Sequence, residues 1–398
     1  MKQLPAVPEP LRELEEGFRD ELVGLGYAPC TSQAQLNLMR HLSRWLGARG
    51  LGAGDLTGDV VSQFTAERRA MYSSFRSVRA LNPILDYLRQ RELTPPALIA
   101  TANTPAEILS ERFRHYLATE RCLVPASVKT YLSQIQPFLA AYSSAERLAS
   151  LSERDVSAFV TARAASRRPR SLNLEINALR ALLRWMRRER IVSASLAEAT
   201  GPVAFNRASL PSALSPAEVE SLFAALSVEG NARLRDEAML NSMVRLGLRA
   251  GEVASLNLDD IDWRRGLVVV HGKGSRRDQL PLPVDVGRSV VAYLKNARAK
   301  GVTHRQVFLA IDAPHGPLGS AAVTSIVARA MVRAGISGHG AAHRLRHTAA
   351  CRILARGGGL VEVGQLLRHS SPAVTALYAK SDLIAMATLA RPWITEVS

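Results

Sequence analysis

Cysteine is nearly absent from this chain: Cys30, Cys122 and Cys351 are the three it has in 398 residues, and they lie far apart. One stays odd under any pairing. Neither a disulfide framework nor a CxxC zinc site can be built from them, which points to a reducing compartment. Long apolar runs are missing too. No stretch approaches the roughly 18 apolar residues of a membrane-spanning helix. The opening MKQLPAVPEPLRELEEG has no apolar core of the kind a secretory signal carries. A soluble, cytoplasmic protein without a membrane partner is expected. Lysine is scarce, at six of the 51 basic residues, so arginine carries most of the positive charge. The rest is ordinary for a globular chain. With 47% hydrophobic and 22% charged residues, collagen-like, disordered and small disulfide-stapled classes are excluded, and the length allows two or three domains.

The formal net charge is +16. Such an excess favours a polyanionic partner, most simply nucleic acid, because basic side chains release condensed counterions from phosphates. The charge is unevenly spread. Residues 1–100 carry 12 basic and 11 acidic side chains, a net of +1; residues 101–210 carry a net of +7 and residues 211–398 a net of +8.

Proline clusters at 5–10, 95–105 and 202–216 divide the chain into blocks of roughly 12–96, 105–195 and 213–398. The first two read as helical, with apolar residues at 3–4 spacing such as Leu36, Met39, Leu42, Trp45 and Leu46, then Leu172, Ile176, Leu179, Leu182 and Leu183. They also match each other at an offset of 95. Phe18 pairs with Phe113, Leu22 with Leu117, Ser32 with Ser127, Asn82 with Asn177 and Leu88 with Leu183, while LTGDVVSQF (56–64) lies over LSERDVSAF (151–159). Two copies of one small helical unit are expected. In the third block Ser215, Pro216 and Glu218 form a helix start, a helix follows near 236–247, and Leu267–Val270 with Gln279–Leu282 flank a Gly272-Lys273-Gly274 turn in a β hairpin. The expected fold is mainly α with one small β hairpin or sheet in the C-terminal block.

Four short passages in that block carry chemistry: Leu248-Arg249-Ala250-Gly251-Glu252, Gly272-Lys273-Gly274, His343-Arg344-Leu345-Arg346-His347-Thr348, and Leu367-Arg368-His369 followed by Tyr378. Two arginines, a lysine, two histidines and a tyrosine suit phosphoryl transfer without a metal. Guanidinium groups hold two phosphate oxygens and stabilise the charge of the transition state. A lysine at a hairpin tip can protonate a leaving oxygen, and a tyrosine can attack phosphorus to give a covalent intermediate.

At these positions the sequence resembles the tyrosine site-specific recombinase (phage integrase) family, across the whole last block and in the family's order. The family pattern calls for an arginine with Glu three residues on (Arg249, Glu252), a hairpin lysine (Lys273), H-x-x-R (His343, Arg346), a His or Trp (His369), and a nucleophile nine residues further (Tyr378). The resemblance implies that Arg249, Arg346 and His369 bind the scissile phosphate, that Lys273 is the general acid and that His343 is the general base. It implies a SAM-like core-binding unit at 105–195, preceded here by its duplicate at 12–96, and a catalytic domain at 213–398. It further implies DNA strand exchange through 3′-phosphotyrosine and a four-way (Holliday) junction, on double-stranded DNA with specific recombination sites. The working form would be a homo-tetramer linked by exchange of C-terminal segments, for which 381–390 is the candidate, and no cofactor or metal is called for. Service to a mobile element, by integration or transposition, is expected. One departure stands out: Arg368 occupies the position before His369 where the family usually has glycine, which adds a phosphate contact or changes the turn.

Blander readings compete at single positions. Arg249 with Glu252 is also an i,i+3 surface pair, Lys273 a solvated turn residue, Tyr378 and Cys351 core residues, and His347 a structural histidine. His339, His343 and His347 have the i, i+4, i+8 spacing of zinc ligands, but Gly338 and Gly340 argue against regular helix there. Rival whole-protein readings are a type IB topoisomerase-like or telomere-resolving enzyme, and a catalytically silent DNA-binding accessory protein.

Overall fold

The computed structural model of the protein describes residues 9–96, 104–142, 144–192, 195–201, 212–226, 230–272, 276–338, 340–368, 375–376 and 378. Lys273, His339, His369 and the 381–390 segment lie outside them. By contact the chain forms two compact units, Met1–Pro95 together with Ser209–Ser398, and Pro96–Ala208. The first unit thus joins two of the three blocks that proline punctuation marks. Within it the turn at Gly26 (φ +81°) lies so close to His315 that a Cβ there would stand 2.9 Å from Nε2. Each block nevertheless has a hydrophobic core of its own.

The first block is built from α1 (Glu15–Gly24), α2 (Pro29–Gly47), α3 (Gly58–Met71) and α4 (Val78–Gln90). The second is built from α5 (Pro105–Thr119), α6 (Pro125–Ala141), α7 (Ala145–Ala149), α8 (Glu153–Ser166) and α9 (Pro169–Arg188). The offset of 95 recurs in the helix bounds. Moving α3 by 95 residues gives the bounds of α8, and α2 and α4 fall on α6 and α9. Both copies start the α3/α8 helix with a hydroxyl cap, Thr57 accepting from the Val60 N–H and Ser152 from the Asp155 N–H. Phe18 and Phe113, Leu22 and Leu117, Leu56 and Leu151, Val61 and Val156, and Leu88 and Leu183 are buried in both copies, whereas Asn82 and Asn177 are exposed in both.

In the C-terminal block Ser215 caps α10 (Pro216–Ala224) as the sequence predicts: its Oγ accepts from the Glu218 N–H at 3.2 Å, and Glu218 Oε2 accepts from the Ser215 N–H at 2.8 Å. Two further helices, α11 (Asn231–Leu246) and α12 (Ala250–Ser255), lead into an antiparallel sheet of β1 (Ile261–Asp262), β2 (Leu267–His271) and β3 (Arg277–Pro281) in the order β1-β2-β3. The hairpin pairs Leu267 with Pro281 and His271 with Arg277, and Lys273 falls between its two strands in sequence. Strand β1, at two residues, is too short to leave a periodic signal. The sheet is followed by α13 (Val284–Asn296), α14 (Ser320–Arg333), α15 (Ala341–Leu354) and α16 (Leu360–Leu367). Val268, Val270 and Leu280 face inward to the core shared by α11, α13 and α14. Near its centre Tyr293 stacks on Phe308, and its hydroxyl oxygen accepts the Leu309 N–H at 3.2 Å.

Separate cores predict separable unfolding. Phe113 is fully buried with the Trp185 ring centroid 5.3 Å away, and Phe113→Ala should cost about 3–5 kcal/mol. Calorimetry should show the loss in the transition of the Pro96–Ala208 unit alone. A uniform shift of every transition would mean that the cores unfold as one.

Candidate active site

The site grows from a turn. Helix α11 ends at Leu246, and Gly247 takes the left-handed conformation (φ 59°, ψ 30°) that closes it. A side chain there would be strained and would also collide, since a Cβ would lie 2.6 Å from Leu367 Cδ2. Leu248 then plunges into the core, fully buried, which leaves Arg249 at the N-cap of α12 with its side chain open to solvent. Glu252, in the first turn of α12, is buried. Its Oε2 accepts the Arg249 backbone N–H at 2.8 Å, and its Oε1 accepts Nη1 of the same arginine at 2.6 Å. The i,i+3 pair is therefore real, but one partner is a buried carboxylate rather than a solvated surface group.

Helix α15 carries the next set. It starts at Ala341, after Gly338 and Gly340 in positive-φ turns, as the glycines predict. His343 is exposed, with its ring 5.3 Å from that of His347 one turn on. Arg346 is buried, and its guanidinium donates to two main-chain carbonyls: Nη1 to Gly247 at 2.5 Å, and Nη2 to Leu367. Burial, reinforced by the neighbouring Arg249 charge, pushes its pKa down to about 10, so it stays protonated at neutral pH.

Tyr378 is buried, its ring packed with Ala350, Leu354, Val363 and Leu367 in a small core of its own. Its hydroxyl lies 2.7 Å from Nδ1 of His347. Burial first, then the charges of His343 and Arg346, push the His347 pKa down to about 4. The imidazole is neutral at physiological pH and can accept from the phenol. Burial raises the Tyr378 pKa, while Arg346 and Arg249 oppose the rise. His347 is thus the residue that sequence reasoning missed: it reads as structural, yet it touches the hydroxyl of the candidate nucleophile. Cys351 is half-buried against the same small core, and burial raises its thiol pKa.

Arg368 closes α16 in the left-handed region (φ 52°, ψ 48°), which costs a non-glycine residue roughly 1–3 kcal/mol. The usual glycine of the family pattern would suit this backbone. The arginine changes the residue and keeps the turn. Its guanidinium is buried, with Nη2 on Glu252 Oε2 at 2.7 Å and Nη1 on the Leu366 carbonyl at 2.7 Å.

An open cavity of about 700 Å³ is lined among others by Arg249, Glu252, His271, Arg276, His343 and Arg368. Arg249 and His343 thus share the cavity wall with Glu252 and Arg368, while Arg346 and His347 lie on α15 beneath it and Tyr378 meets His347 from a later segment. Lys273 and His369 lie outside the described residues, although Gly272 and Arg276, which flank the lysine in sequence, both line the cavity. Among the described residues no group of three or more His, Cys, Asp or Glu side chains is placed to hold a metal. Guanidinium groups on an open wall, with a phenol and imidazoles nearby, are equipped to bind a phosphate diester and attack it.

Comparison with known proteins gives a consistent result. A family model described as "Phage integrase family" matches residues 212–383, and one described as "Phage integrase, N-terminal SAM-like domain" matches residues 110–190. The chain is 33% identical over 382 residues to the putative integrase/recombinase y4rA of Sinorhizobium fredii (strain NBRC 101917 / NGR234), covering 94% of this chain and 93% of that one. It is 28% identical over 286 residues to the tyrosine recombinase XerC of Oceanobacillus iheyensis, covering 68% of this chain and 91% of the relative. In fold it is similar to the XerH site-specific recombinase in a crystal structure bound to difH substrate, with a TM-score of 0.54 at 18% identity, over 83% of this chain and 94% of that one.

The His347–Tyr378 contact has a pH signature. A neutral His347 contributes stability in full above its unfolded pKa of 6.5, and this contribution is lost as the pH falls toward its folded value of about 4. His347→Asn keeps an acceptor without the titration. Thermal unfolding followed from pH 7 to pH 4 should therefore show a smaller decline in Tm for the variant than for the parent. Parallel declines would mean that the folded imidazole titrates normally.

Proposed function

Since the chain belongs to the phage integrase family of tyrosine recombinases, we propose that it cuts and rejoins double-stranded DNA at specific recombination sites through a 3′-phosphotyrosine intermediate, and exchanges strands by way of a Holliday junction. The observation that carries this reading is Tyr378, whose hydroxyl meets His347 one helical step from the buried Arg346. Attack by the Tyr378 oxygen on phosphorus breaks the bond to the 5′ oxygen. The phenolic proton passes to histidine: the family likeness assigns it to His343, and the contact at His347 supplies a second imidazole on the same helix. Arg249 and Arg346, with His369, hold the phosphate and stabilise its transition state. Lys273 returns a proton to the leaving 5′ oxygen.

The layout we propose has three parts: a helical unit at 12–96, a core-binding helical unit at 105–195 that grips DNA, and a catalytic domain at 213–398. The uneven charge supports it, because the second and third blocks hold nearly all the excess. DNA as the partner is supported by the relative XerH, described on its difH substrate. Assembly as a homo-tetramer through exchange of the 381–390 segment, and service to a mobile element, complete the proposal. It draws on no cofactor, since arginine supplies the charge that a metal ion supplies elsewhere.

Tyr378→Phe should retain DNA binding and lose covalent attachment, because the ring stays in its core and only the nucleophilic oxygen goes. A duplex site recovered from a random-sequence pool by the Tyr378→Phe protein, then nicked to trap the intermediate, provides the assay. An adduct formed by Tyr378→Phe would put the nucleophile elsewhere.

Lys273→Ala should slow cleavage of the same substrate by roughly 10²–10⁴-fold, the usual weight of a general acid, with little change in binding. A 5′-bridging sulfur leaves without a proton and should restore the rate. Persistent slowness on the sulfur substrate would remove the acid role from Lys273.

A further inference from the structure

Glu252 is shared. Its Oε1 takes Arg249, and its Oε2 takes both the Arg249 main chain and the Arg368 guanidinium, across 116 residues of sequence. Arg249 reaches the cavity with an open side chain, whereas the side chains of Glu252 and Arg368 are both nearly inaccessible. Arg368 also spans main chain, with Nη1 on the Leu366 carbonyl. Among the described residues its buried Nε meets no acceptor, so the guanidinium is held at the carboxylate at the expense of one of its own donors. The backbone conformation at this position favours glycine. An arginine there accepts strain and desolvation, and in return makes one buried ion pair to the residue that orients Arg249.

We infer that Arg368 is a positioning residue for phosphoryl transfer, clamping the Glu252 carboxylate so that it orients Arg249 without neutralising it. This rests on the reading of Arg249 as a ligand of the scissile phosphate. The charge arithmetic is direct. With glycine at 368, Glu252 would offset one of the two guanidinium groups Arg249 and Arg346 and leave one net positive charge. With Arg368 present the same cluster carries two. Asp278, on the cavity wall, is a further carboxylate within electrostatic reach of Arg368. The gain matters most in the transition state, when the phosphate oxygens carry additional charge. The fork of Arg368 also locks the Glu252 rotamer, so Arg249 is held before DNA arrives and need not be ordered by it.

The experiment compares single-turnover adduct formation by full-length parent, Arg368→Gly, Arg368→Lys and Arg249→Ala proteins. The substrate is the nicked duplex recovered by selection, with either a phosphodiester or an uncharged methylphosphonate at the cleavage position. Arg368→Gly is expected to slow attack on the phosphodiester roughly 10- to 100-fold while DNA affinity stays within about twofold of the parent. Arg368→Lys keeps the charge and should retain more of the rate. On the methylphosphonate, which lacks the charge that the cluster neutralises, the gap between Arg368→Gly and parent should shrink. An equal loss on both substrates, or Arg368→Lys as slow as Arg368→Gly, would reduce Arg368 to a structural residue and overturn the inference. A parent-like rate for Arg368→Gly alongside a slow Arg249→Ala would overturn it too, with the phosphate reading intact. A parent-like rate for Arg249→Ala would remove the phosphate reading itself.

Discussion

The C-terminal block turns on one buried cation. Arg346 reaches from the middle of α15 to the carbonyl of Gly247, at the end of α11, and to that of Leu367, at the end of α16. Helix C-termini carry partial negative charge on unsatisfied carbonyls, so one guanidinium satisfies two such ends and fixes three helices against each other. Two cations of the candidate site lie immediately beyond those ends. Arg249 is two residues past Gly247, and Arg368 is the residue after Leu367. A group assigned to phosphate binding is therefore also the strut that sets where the other cations stand.

Arginine suits this double use where lysine would not. A lysine at comparable burial sheds its proton readily, whereas Arg346 stays charged even with burial and two neighbouring arginines acting against it. The scarcity of lysine in the chain fits that logic at the site. Charge that must persist under burial is carried there by guanidinium, at Arg346 and Arg368.

Much of the architecture could be read before any coordinates. The offset of 95 residues exposed the repeated helical unit because the same buried positions recur, and the cap at Ser215 and the hairpin around Lys273 are local signals with local causes. In the site, His343 and Arg346 share a helix face by their spacing, and Arg249 with Glu252 form the expected pair. What stayed illegible was non-local. His347 meets Tyr378 only because α15 and the nucleophile's segment converge across 31 residues, and Glu252 meets Arg368 across 116. Arg368 was visible as a departure, but its direction was not, since a left-handed turn sends the side chain inward, to the carboxylate beneath the cavity. The first and third blocks fall in one unit, with Gly26 of the first close to His315 of the third, an approach that no periodicity encodes.

The ring of Tyr378 has a consequence for how this chain can change. The side chain that would perform the chemistry is also the largest piece of the small core beneath α15 and α16, where its neighbours are alanine, valine and leucine. Replacing it by a small residue would empty that core as well as remove the oxygen, and phenylalanine is the substitution that fills the same space. A lineage that abandoned catalysis while keeping a folded, DNA-bound protein would thus be steered toward phenylalanine at 378. Inactive descendants of this chain should carry that residue far more often than the genetic code alone would produce.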